Sequence, residues 1–182
     1  MGILDRFQIK AGGWRASAEQ PWELDLDRPA VAGVALRDPA TLLWKLGPVD
    51  DPAAAADEGR HCYFARGVEA RVARQRVEQW RVYWHEPAGR FVPFAGPCRF
   101  RGACMELHPG LREPELEAWL GPPVWRQVEG HVIHCFYAHH AADWEWRFSQ
   151  DHGLQQLVLS AQPLYARGAD GAPPPPSPAD SA

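Results

Sequence analysis

The chain has 182 residues, 46% of them apolar, which is enough for one substantial core or for two small units sharing one. A formal charge of −4 and no Lys/Arg run longer than two residues leave no basic field for a polyanion, so nucleic acid is not an expected partner. No stretch approaches the roughly 18 apolar residues of a membrane span, and the opening MGILDRFQIK has neither a secretory apolar region nor, with Arg6, a myristoylation pattern.

In chain order, residues 1–20 form an N-terminal segment, and WELDLD from Trp22 reads as a first strand. Asp38 and Pro39 then predict a helix start, with Leu42, Leu43 and Leu46 as its apolar stripe and Gly47-Pro48 as its stop. A polar stretch leads to RHCYFA, VEARVAR and VEQWRVYW, read as three strands with Gly67 and Gln75 at the turns; VEARVARQRVEQW also fits a helix, but the β-branched Val72, Val77 and Val82 favour strands. The segment HEPAGRFVPFAGP reads as a linker that punctuates rather than packs. CRFRGACMEL predicts a strand or a hairpin through Gly102. Glu113 and Pro114 open a second helix with the stripe Leu116, Trp119 and Leu120, ended by Gly121-Pro122-Pro123. A second polar stretch leads to a meander: HVIHCFYA, then ADWEWRF with Trp144, Trp146 and Phe148 inward, then LQQLVLS after the turn SQDHG. Residues 167–182, including PPPPSP, predict a disordered or polyproline-like tail.

Laid against itself, the chain repeats. LRDPATLLWKLGP (36–48) answers LREPELEAWLGP (111–122), and HCYFA (61–65) answers HCFYA (134–138). The separations are 75 at Leu36/Leu111, 74 at Gly47/Gly121 and 73 at His61/His134. The expected fold class is therefore α+β: two tandem helix-plus-antiparallel-sheet repeats of about 75 residues, at 21–92 and 93–166, with the helices on one face of the sheet or sheets.

A helix ending in WLGPP (119–123), an aromatic strand HCFYA (134–138), an acidic-aromatic strand WEWRF (144–148) and the strand DHGLQQLVL (151–159) together resemble a known module. It is that of the beta-lactamase inhibitor protein and the small outer-membrane assembly lipoprotein; several immunity-type families for polymorphic toxins look similar. The resemblance covers about 36–160 and implies a binder with no catalytic residue to carry over. This chain lacks those families' signal sequence, lipobox cysteine and paired disulfides.

The residues themselves offer few chemical sites. His61, Cys62, His134 and Cys135 carry zinc-ligand atoms, yet adjacent strand residues point to opposite faces, so a His-Cys dipeptide cannot aim both at one ion. His131, His134, His139, His140 and Asp143 form a local cluster in which His134, His139 and His140 are the candidate ligands of a metal-binding protein or metal-dependent enzyme. No HExxH, nucleophile elbow or phosphate loop accompanies them. The four cysteines, Cys62, Cys98, Cys104 and Cys135, lie in apolar strand contexts and read as reduced thiols.

Nine tryptophans stand out. Trp44, Trp119, Trp144 and Trp146 fit inward positions, leaving Trp14, Trp22, Trp80, Trp84 and Trp125 as candidates for a protein-binding surface. The function expected is a non-enzymatic, cytoplasmic protein-binding module without cofactor, of immunity or inhibitor type, with the histidine cluster as the alternative.

Overall fold

A computed structural model describes residues 21–139 and 142–164. The protein is a mixed α+β structure dominated by two sheets. The smaller joins β1 (Leu24–Asp25), β2 (Ala30–Val31), β3 (Val34–Ala35), β7 (Cys98–Phe100) and β8 (Ala103–Met105) in the order β3-β2-β1-β7-β8, with β1 and β7 parallel. The larger is antiparallel throughout and runs β4-β5-β6-β12-β11-β10-β9. Its strands are β4 (Arg60–Tyr63), β5 (Val68–Ala73), β6 (Arg76–Tyr83), β9 (Trp125–Glu129), β10 (Val132–His139), β11 (Ala142–Ser149) and β12 (Gly153–Ser160).

The strand reading of 68–83 holds: a turn at Arg74 and Gln75, both with positive φ, reverses the chain between β5 and β6. The hairpin through Gly102 forms as well, and Asp27 accepts from the Arg101 and Gly102 amides at its tip. In β12 the irregular alternation of LQQLVLS has a cause. Gln155 is an extra residue opposite the Arg147/Phe148 step of β11, and this shift lets Leu154, Leu157 and Leu159 all face the core.

Several expectations need correction. The first helix is a 3₁₀ helix, Ala40–Leu46, and Asp38 accepts from the Ala35 amide instead of capping it. The second is α-helical: α2 (Glu113–Leu120) begins with the Arg112 amide donating to Glu115. Both stop at a glycine with positive φ and similar backbone, Gly47 at φ 99°, ψ −175° and Gly121 at φ 82°, ψ −178°. Two elements lie in the stretches read as merely polar. They are α1 (Pro52–Glu58), capped by Asp51 accepting from the Ala54 amide, and strand β9. The linker packs after all, because Phe91 stacks on Tyr83 and Phe94 meets Trp84 edge-on.

The twin pentapeptides face opposite ways. In HCYFA, Cys62 lies on the face away from the main core and Tyr63 joins that core; in HCFYA, Cys135 joins the core and Phe136 lies on the other face. A strand shifted by one residue inverts every side chain, so letter-for-letter matching at 73 fails. At a separation of 74, the value at Gly47/Gly121, core Tyr63 instead meets core Tyr137.

Trp144 and Trp146 are buried as expected, but four other tryptophans reverse the sequence-based division. Trp80 and Trp84 are 0% and 1% exposed, while Trp44 and Trp119, expected inside, are 48% and 39% exposed. Cys104, read as an apolar strand thiol, is likewise exposed. Position within the larger sheet decides the tryptophans: β6 is interior, and the register pairs Trp80 with Leu159 on a face where Trp144 and Trp146 also lie. Trp80 Nε1 donates to the Val34 carbonyl at 3.0 Å and so joins the larger sheet to the smaller. Replacing Trp80 by Ala should lower the unfolding free energy by about 3–5 kcal/mol, whereas Trp44→Ala should cost no more than about 1 kcal/mol. Urea unfolding compares them, and equal losses would contradict this placement of the two indoles.

Candidate functional site

Four segments converge on one cleft. Residues 21–22 before β1, 45–50 at the end of the 3₁₀ helix and just beyond it, 63–66 at the end of β4 and 92–97 before β7 enclose about 560 Å³. Its walls are set by backbone contacts that leave no room for side chains. A Cβ on Gly67, whose φ is +66°, would meet the Val92 carbonyl oxygen at 2.4 Å, and one on Gly96 would meet the Trp22 carbonyl. Hydrogen bonds hold the same loop: Val92 N–H to the Phe64 carbonyl, Phe94 N–H to that of Tyr83, and Leu24 N–H to that of Pro97.

Trp22 and Tyr63 supply aromatic surface, their ring centroids 5.3 Å apart, and the Arg66 guanidinium lies over the Trp22 ring at 5.6 Å. Lys45 and Arg66 bring two cations, and Asp50 one carboxylate. That carboxylate is already engaged, since Asp50 Oδ2 accepts from the Phe64 amide at 2.6 Å. The Tyr63 hydroxyl is buried and has no hydrogen-bond partner among the described residues. Burial, with Asp50 nearby, pushes its phenol well above the ordinary value, so it remains a neutral donor.

A second polar site lies on the face of the larger sheet away from the main core. The register places Tyr83, Gln156, Arg147, His134 and Gln127 in one row across β6, β12, β11, β10 and β9. His134 Nδ1–H donates to Glu145 Oε1 at 2.7 Å, and Arg147 grips the same carboxylate through Nε at 2.7 Å and Nη2 at 2.9 Å. Burial alone would raise the Glu145 pKa; the donors from His134 and Arg147 outweigh it and hold the carboxyl below its ordinary range. A cavity of about 340 Å³ opens beside this group, between Tyr83, Glu129, His134 and Arg147.

Of the five tryptophans proposed from sequence, Trp22 lines the cleft, while Trp80 and Trp84 are core. Trp125, half-buried, stacks on Phe136 at the β9 edge, 4.8 Å between centroids, and Trp14 lies outside the described residues. The histidines do not converge. His134 turns to Glu145, whereas His139 lies on the opposite face of β10 against Trp144, and His140 is outside the described residues. Among the described residues no group of three or more His, Cys, Asp or Glu is placed to hold a metal ion. The two His-Cys dipeptides sit on β4 and β10, five strand spacings or about 24 Å apart. Cys135 instead lies 3.3 Å from Glu113, which also takes the Arg126 fork.

Sequence reasoning missed Tyr63, Lys45, Arg66 and Glu145. Each becomes a site residue only through pairing of distant segments, although the alternation around Trp144 and Trp146 already places Glu145 on the polar face. Comparison with protein-family models, with curated proteins and with solved structures finds no match to this chain.

Because the Glu145 pKa is depressed on folding, its contribution to stability is present above the ordinary carboxylate value and is lost as pH falls through the folded value. Replacing Glu145 by Gln should destabilise the protein at neutral pH by about 1–3 kcal/mol and flatten its acid limb below about pH 5. Urea titrations at stepped pH measure both; an unchanged acid limb would show that this carboxylate is not coupled to folding.

Proposed function

We propose that the chain is a non-enzymatic protein-binding module, of immunity or inhibitor type and working in the cytoplasm, whose recognition element is the Trp22–Tyr63 cleft. The observation that carries this reading is the conjunction, in one preformed cleft, of a part-exposed indole, two cations and a buried donor with no partner among the described residues. No helix among the described residues is long and apolar enough to cross a membrane, which accords with this reading without deciding the compartment.

The resemblance to tandem inhibitor modules belongs to the same proposal. Two units of about 75 residues would meet last strand to last strand, as β6 and β12 do, with Gly47 and Gly121 ending equivalent helices. In that arrangement the first unit supplies most of the cleft and residues 93–97, which open the second, complete it.

Lys45 and Arg66 are exposed, so reversing their charge tests the cleft without disturbing the core. The double variant Lys45→Glu/Arg66→Glu should keep the wild-type circular dichroism spectrum and melting temperature. It should lose the stoichiometric partner that the wild-type chain captures from its native host lysate, by a factor of about 30 or more in affinity. Equal capture by both proteins, or none by the wild type, would remove this reading.

A further inference from the structure

The geometry points to a carboxylate as the group this cleft accepts: we infer that it binds an extended segment of a partner protein in which an acidic side chain sits beside an aromatic or proline residue. This rests on the protein-binding reading above and specifies its chemistry.

Charge comes first. Among the described residues Lys45 and Arg66 line the cleft against a single acid, Asp50, one of whose oxygens is already taken by the Phe64 amide. An entering anion therefore meets two cations and little opposing charge, and charge-assisted hydrogen bonds are the stronger kind. The second observation is independent of charge. Tyr63 is only 4% exposed, lines the cleft, and leaves its hydroxyl without a partner among the described residues. A buried donor left unsatisfied is costly, and an acceptor oxygen brought by a ligand would satisfy it. Because the phenol stays neutral, it donates to a carboxylate rather than repelling one.

The rest of the lining favours an apolar neighbour to that carboxylate. Trp22 lines the cleft beside Arg66, and Pro48, Pro93 and Pro97 supply walls of low conformational freedom. Those walls are pinned by the close approaches at Gly67 and Gly96, so the cleft need not be ordered when the segment enters.

The test uses the full chain and two blocked peptides, Ac-Phe-Glu-Pro-NH2 and its neutral isostere Ac-Phe-Gln-Pro-NH2. Binding is read from the Trp22 indole N–H resonance, assigned with Trp22→Phe. The Glu peptide should shift that resonance and bind at least about tenfold more tightly than the Gln peptide. Tyr63→Phe, which keeps the ring packed, should weaken the Glu peptide several-fold, and Arg66→Ala should narrow the Glu/Gln difference. Equal binding of the two peptides, or no shift with either, overturns the inference. Phenylacetate binding as tightly as the Glu peptide would overturn the segment and leave a free small acid as the ligand. Should the peptides fail while Lys45→Glu/Arg66→Glu still abolishes partner capture, the carboxylate is wrong and the protein-binding reading stands.

Discussion

The structure depends on the antiparallel pairing of β6 with β12. Without that pairing, β4–β6 and β9–β12 would be separate sheets, each with an edge of unsatisfied amides and carbonyls; with it they form one seven-stranded sheet. The register of this seam, Leu157 opposite Val82 and Leu159 opposite Trp80, puts the apolar sides of both halves on one face. Trp84 and Trp146 then stack with centroids 6.2 Å apart, and Trp80 reaches the Val34 carbonyl of the smaller sheet. Burial of such large rings is the main apolar term in the core, and a slip of one residue would turn them to the opposite face.

The cleft follows from that seam. Once β6 is interior, the chain leaving it must cross to β7 in the smaller sheet, and residues 92–97 do so over Gly67 and the Trp22 carbonyl. The crossing explains why a segment rich in Pro and Gly is held firmly: Phe91 and Phe94 are driven into apolar contact while its amides pair with Phe64 and Tyr83 carbonyls. Tyr63, at the end of edge strand β4, is thereby enclosed on its ring without gaining, among the described residues, a partner for its hydroxyl.

The opposite face of the larger sheet is stabilised differently. Glu145 and Glu69 lie in one row with Arg81 and Val158 between them, and each carboxylate is surrounded by basic side chains: Arg147 and His134 at one, Arg60 and Arg81 at the other. Buried charge is tolerated there because it is paired and hydrogen-bonded, most completely at Glu145. His134 and Cys135 are adjacent letters that serve opposite faces, the first in this network and the second beside Glu113.

Local pattern by itself determined the strands of the meander, the inward set Trp144, Trp146 and Phe148, the hairpin at Gly102, the second helix and the helix-ending glycines Gly47 and Gly121. Those features arise from alternation, β-branching and backbone freedom within a few residues, which letters report directly. Which tryptophans are buried, which way each His-Cys pair turns, and that Lys45, Tyr63 and Arg66 share a cleft with Trp22 were decided only by the tertiary structure. Each depends on which strand becomes interior and on a register between segments far apart in the chain, and a one-residue change in either reverses the exposed face without altering the local pattern.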